Sequence, residues 1–426
     1  MMKIVILPQV AGNKGDRAIL HYMLDALVRN SVNDVTVATS NPEMWQDYVN
    51  FRGAHVKFIC QAWFMSMNAS AKSLQWYMLK VLERVKSKVF MTVGYPLLRT
   101  AVVDKRFVSL AKIMCYSCNP AQWNAIRHCD AVITTGGHRI TTLLQPDVVG
   151  HQTFSMAMVI LAEKKLYLWS QTIGGFKFKK DINRRLIDKI LNYADRIYVR
   201  DIESVSQINA FSVEKSKIFT TYDSVFGLAN EVESTANILP SKRQNTVGIS
   251  VYTGRSNREI QYEPYIQALA ALVRFVVEDG YKVAFFPMHL NDRNEHKYFT
   301  DIINRAKCED SCSIIDSNID TLEHLKKLAE CKLFIGHKTH SIIFALVTAT
   351  PLIAIAYHVK TLDFMRQFGL EEYGVPESEI TPQRLQGLYE RISKNLDSVH
   401  EIEKIKNKEM CDKVEHDFEQ LLSDKK

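Results

Sequence analysis

Short apolar runs alternate along this chain with longer stretches whose apolar residues recur every three or four positions. In the first half, runs at 3–7, 35–38, 56–59, 131–135, 165–170 and 196–199, with a weaker one at 217–220, predict strands. The stretches 16–29, 154–162, 180–193 and 203–209 predict helices. After a polar stretch at 230–245 the pattern restarts. Strands are predicted at 246–251, 282–286, 312–315, 332–335 and 351–356, with helices at 262–279, 294–306, 319–329 and 341–347 between them. This alternation predicts an α/β fold of two doubly wound parallel-sheet domains facing a cleft. The expected boundaries are 1–235 for the first domain, with an insertion at about 61–128, then 236–375 for the second. The stretch 230–245 serves as linker, and a helical tail at 376–426 returns across the first domain.

Composition narrows the class. An apolar share of 46% and a charged share of 24% over 426 residues describe an ordinary globular chain of more than one domain. The N-terminal apolar run stops at Pro8, too short for a secretory leader, and the longest apolar stretch, 342–357, is broken by Thr348 to Pro351. A cytoplasmic protein without a membrane span is expected. Eight scattered cysteines read as reduced thiols. Cys115, Cys118, His128 and Cys129 have poor spacing for zinc, and no metal is expected.

The net charge is +7, and residues 71–112 carry nine lysines and arginines against Glu83 and Asp104, enough to account for all of it. Aromatic and aliphatic residues interleave with these cations. Two readings follow: a solvated insertion packed on its own domain, or a peripheral contact with an anionic membrane surface at the inner face of the membrane. No nucleic-acid module accompanies the charge.

Candidate chemistry lies where strands end. Gly12-Asn13-Lys14-Gly15-Asp16 follows the first strand, and Gly336-His337-Lys338-Thr339-His340 precedes a helix expected from Ser341. Free N–H groups and the positive dipole end of a helix start hold an anion well. Further junctions are Gly136-Gly137-His138, Gln171-Thr172-Ile173-Gly174, Arg200-Asp201, Asp223, Arg255, His289 with Asp292, and Lys360. A glycine pair can also mark only a tight turn, and Arg200-Asp201 only a capping ion pair. Walker and Gly-x-Gly-x-x-Gly patterns are absent.

The order of these pieces resembles the polysaccharide pyruvyl transferase family from about residue 3 to 370, leaving out 45–128 and the tail. Lys338 stands where many relatives have Arg, and His138 where many have a third glycine. The resemblance implies a GT-B-like fold and transfer of the pyruvyl unit of phosphoenolpyruvate onto two hydroxyls of a sugar, in a polysaccharide or its lipid-linked precursor. A cyclic ketal forms, phosphate leaves, and no cofactor beyond the donor is required. Lys338, His340, the helix start at Ser341, and Arg200 or Arg255 would hold the phosphate and carboxylate. His340 would protonate the methylene carbon or bind phosphate; Asp16 would take the hydroxyl proton or cap its helix. Asn13, Lys14, Gly15, Gly136, Gly137, His138, Gln171, His289 and Lys360 complete the binding set. Two alternatives remain: a GT-B-like glycosyltransferase using a nucleotide sugar, and a catalytically inactive glycan-binding relative.

Overall fold

The computed structural model describes residues 2–9, 12–61, 78, 81, 85, 88–142, 150–254, 262–356 and 359–423. The first sheet contains β1 (Lys3–Gln9), β2 (Asp34–Thr39), β3 (Asn50–Phe51), β4 (Ala54–Cys60), β5 (Ala131–Thr134), β6 (Gly137–Ile140), β7 (Lys165–Ile173), β8 (Arg196–Val199) and β9 (Ile218–Thr220). Their order is β3-β4-β2-β1-β5-β7-β8-β9, with β6 paired on β7. Only β3–β4 is antiparallel. β5 is buried throughout and β7 after its first residue, which is why these strands read as continuous apolar runs rather than alternating ones.

The second sheet contains β10 (Gln244–Ile249), β11 (Lys282–Phe285), β12 (Cys312–Ile314), β13 (Cys331–Gly336), β14 (Leu352–Ala356) and β15 (Gly374–Pro376). It is parallel throughout, in the order β12-β11-β10-β13-β14-β15. Each sheet grows outward on both sides of a central strand, β1 or β10, the doubly wound pattern that the alternation predicts.

The chain divides into two compact units, one of Met1–Ala11, Ile19–Ser224 and Lys413–Lys426, the other of Gly12–Ala18 and Val225–Asp412. The polar stretch expected to be a linker is not one. A helix, Ala229–Ala236, occupies its first half, and Val232, Ala236 and Pro240 bury their side chains. Arg243 is buried too. Its guanidinium donates to the carbonyls of Ala236, Ile238, Cys331 and Ala349, and burial pulls its pKa down to about 10. One polar residue of this stretch, Arg243, thus serves buried hydrogen bonds, while most of the others face solvent. The tail is likewise no separate body. Its last helix, Leu396–Ser423, belongs to the second unit up to Asp412, where Asn407 Nδ2 donates to Val347 O at 2.6 Å. From Lys413 it belongs to the first, where Phe418 meets Trp169 edge-on at 4.8 Å.

Among the described residues no helix is long and apolar enough to cross a membrane. Cys115 and Cys129 are buried, which pushes each thiol up to about 12; His128 is bonded to Asn124 O and Cys118 is exposed.

Candidate anion site in the second unit

Two helix starts build the site, and both begin earlier than their apolar periodicity suggests. β13 ends at Gly336, Lys338 is the N-cap, and the helix runs Thr339–Val347, so His340 lies inside its first turn. A hydrogen-bond relay fixes the loop. The His337 N–H donates to Ser250 Oγ (3.3 Å), Ser250 donates to Ser341 Oγ (2.7 Å), and Ser341 donates to Lys338 O (2.8 Å). Ser341 Oγ also accepts from Lys338 N at 3.2 Å. Ser341 is fully buried and its hydroxyl is committed to the loop, so it shapes the site and does not reach a ligand. His337, also buried, bonds Tyr265 Oη through Nδ1 at 2.7 Å.

The second helix start is that of Lys14–Arg29. Its cap is Asn13, whose Oδ1 accepts from Gly15 N (2.8 Å) and Asp16 N (3.4 Å), so Asp16 is not the capping residue. Gly12–Ala18 belongs to the second unit and is laced onto the loop after β11. Lys14 N donates to Met288 O (3.0 Å), Leu290 N donates to Gly12 O (2.9 Å), and Asn13 bridges to His289. The two starts touch. A Cβ built on Gly15 would lie 2.1 Å from His340 Cγ and 2.3 Å from its Nδ1, so only glycine lets the imidazole sit there.

Charge gathers at this junction. Lys14 is 1% exposed and its ammonium donates to Ile319 O at 2.9 Å. Burial, with Arg17 beside it, brings its pKa down to about 8. Lys338 is also buried. Its Nζ forms an ion pair with Glu295 Oε1 and lies 2.6 Å from His289 Nδ1. Glu295, 1% exposed, is the hub that the sequence reading missed. One carboxylate oxygen accepts the backbone N–H groups of Met288 and His289, both at 3.0 Å, and the other lies 3.1 Å from His289 Nδ1. Burial alone would raise its pKa. The His289 hydrogen bond and the Lys338 charge overcome that and hold the carboxyl below its ordinary value. Asp292 caps the helix Arg293–Ala306, and a Glu three residues after such a cap reads as ordinary helix-start chemistry, which hides its role in the sequence.

His289, Asp292 and Glu295 present ligand atoms within 4.8 Å of one another, a set that could hold a metal ion. The Lys338 ammonium already sits on Glu295 and His289, so a cation would compete with it. A cavity of about 370 Å³ opens beside His289, lined by Gly12 and Leu290 to Asn294. One of about 570 Å³ shares His289, Asn291, Asp292 and Arg293 with it and continues over Phe299, Ile314 and Ile315.

Gly136, Gly137, His138, Gln171 and Arg200 lie in the first unit. Gly136 packs against Ser170, leaving 3.1 Å between an added Cβ and Ser170 O. Gly137 (φ +122°) opens β6, where a tight turn was the alternative reading. His138 Nε2 lies 3.3 Å from Gly174 O. Gln171 is fully buried, and its amide donates to Thr134 Oγ1, Thr135 O and Trp169 O, so it ties β7 to β5 in place of meeting a substrate. The sequence pairs Arg200 with Asp201. The structure pairs Arg200 with buried Asp223 and with Thr172 Oγ1 (2.9 Å), while Asp201 caps the next helix through Ser204 N at 2.8 Å. Arg255 and the side chain of Lys360 lie outside the described residues.

Two doubly wound α/β units place this protein in the GT-B-like class. UDP-GlcNAc 2-epimerase from Neisseria meningitidis bound to UDP-GlcNAc is similar in fold, with a TM-score of 0.58 at 11% identity, covering 99% of this chain and 100% of that one. Anabaena Alr3699/HepE in complex with UDP-glucose gives 0.54 at 12% identity over 100% of both chains. The family model described as polysaccharide pyruvyl transferase matches residues 13–359, and the chain belongs to that family. The Amylovoran biosynthesis protein AmsJ of Erwinia amylovora is 22% identical over 294 residues, which are 65% of this chain and 68% of that protein.

Proposed function

We propose that the protein transfers the pyruvyl group of phosphoenolpyruvate to a sugar of a polysaccharide or its lipid-linked precursor on the cytosolic side. The convergence of two helix starts at Gly15 and His340, beside Lys14 and Lys338, carries this reading. Both dipoles present their positive ends there, and the donor brings a phosphate and a carboxylate. Lys14 and Lys338 are proposed to hold these groups, Lys338 while keeping one N–H on Glu295. The positive end of the helix that starts at Thr339 completes the cradle.

In the reaction, His340 gives a proton to the methylene carbon, which becomes the methyl group. The acceptor's first hydroxyl oxygen bonds to the neighbouring carbon, and Asp16 takes the hydroxyl proton. The bond from that carbon to the phosphate oxygen then breaks, and phosphate leaves. The second hydroxyl closes the ketal. Two hydroxyl protons are released; one restores His340 and the other leaves with phosphate. No further cofactor is needed for this balance.

The test follows inorganic phosphate released from phosphoenolpyruvate by the purified protein with a panel of bacterial glycans and lipid-linked precursors. Release that depends on a glycan and yields a product heavier by one pyruvyl ketal supports the reading. Turnover of a nucleotide sugar with the same acceptors, and none of phosphoenolpyruvate, would replace it with glycosyl transfer.

A further inference from the structure

The helical segment ahead of β5 is apolar on two sides. In helix Val108–Cys118, Ala111 and Cys115 enter the core of the first unit. Leu110 and Ile113 stand 53% and 62% exposed, and Phe107, just before them, 65%. The preceding stretch repeats the arrangement. Phe90 and Tyr95 are buried in the same core, while Val89 and Val93 are exposed. The two stretches lie side by side at Gly94, where an added Cβ would meet Met114 Sδ at 2.8 Å. Exposed apolar side chains grouped opposite a buried face mark a surface that is covered in use.

The turn between the helices sharpens the point. Lys105 and Phe107 both hold left-handed backbone, φ +56° and +58°, which non-glycine residues adopt at a cost. The result is a ring raised at the tip of the turn, beside the exposed cations Lys105 and Arg106. Lys88, also exposed, adds a third. Among the described residues no carboxylate pairs with any of the three.

An isologous dimer through this face would set like charges against each other. A protruding ring rimmed by cations matches instead a surface that is anionic outside and apolar just beneath. We propose that this face seats the protein on an anionic bilayer, with Phe107, Leu110 and Ile113 in the acyl boundary and Lys88, Lys105 and Arg106 against the lipid phosphates. A transferase so placed meets lipid-linked acceptors at the membrane, but the seating is independent of which group is transferred.

Co-sedimentation of the full chain tests it, with vesicles of phosphatidylcholine containing about a third phosphatidylglycerol and with phosphatidylcholine alone. The wild type should pellet with the anionic vesicles only, and high salt should release it. F107S/I113S should lower the bound fraction about tenfold, and K105E/R106E should do the same. Ile405→Ser, which changes an exposed apolar side chain on the last helix, should bind as the wild type does. Equal binding to both vesicle types overturns the proposal, as does unchanged binding by F107S/I113S. A wild-type dimer that this double variant turns into a monomer in sedimentation velocity would assign the face to a second copy instead.

Discussion

Gly15 and His340 meet so closely that the imidazole occupies the space a methyl group on residue 15 would need, 2.1 Å from a Cβ to the ring's Cγ. Because the obstructing atoms belong to the root of the ring, not to a flexible tip, His340 must move if residue 15 gains a side chain. Gly15→Ala should therefore displace the ring by about 1 Å and cost roughly 100-fold in kcat. The Gly15→Ala/His340→Ala double variant should lose no more than His340→Ala alone, since both changes remove one function. Additive losses in phosphate-release kinetics would separate the two residues.

Lys338 and Glu295 form a buried ion pair that holds the loop after β13 to a neighbouring helix. Lys338→Met should destabilise the protein by about 3–5 kcal/mol, because Glu295 is left charged and buried. Adding Glu295→Gln should recover much of that loss. The pair also has a pH signature. Glu295 titrates below its ordinary value when folded, so its contribution is present above that value and is lost as pH falls through the folded pKa. Urea unfolding across the acid range checks both statements: the advantage of wild type over Glu295→Gln should shrink as pH falls.

Lys14 gives opposite signs for binding and for folding. With its pKa near 8, the ammonium loses its proton above that pH, and affinity for an anionic donor should fall by up to about tenfold per pH unit. Between about 8 and the ordinary lysine value the unfolded chain binds the extra proton, so this residue's contribution to stability rises with pH. Lys14→Met should flatten both trends. Titrations of phosphoenolpyruvate and thermal melts from pH 7 upward would reveal them.

Most of the architecture was legible in the sequence because buried parallel strands leave continuous apolar runs, as in β5 and β7, and amphipathic helices leave a period. The stretch around Arg243 was not, because a buried arginine satisfied by four carbonyls looks the same in sequence as a solvated one. At the candidate site, the glycine, lysine and histidine positions stand at strand ends, where the sequence pattern directs attention. The roles of Gln171, Ser341 and Glu295 did not. Each is decided by a partner distant in sequence: Thr134 and Thr135 for Gln171, Ser250 for Ser341, Lys338 for Glu295. Local pattern carries no information about such pairings. The start of the helix at Thr339 was hidden for a related reason. Its first turn, Thr339-His340-Ser341, is polar, so apolar periodicity begins only at Ile342.

Titration calorimetry of phosphoenolpyruvate into the purified wild type and Lys14→Met, with UDP as comparison, addresses the central claim most directly. The account predicts one binding event for phosphoenolpyruvate, at least about tenfold weaker in Lys14→Met, and none for UDP. Binding of UDP without phosphoenolpyruvate, or equal phosphoenolpyruvate affinity in the two proteins, would contradict it.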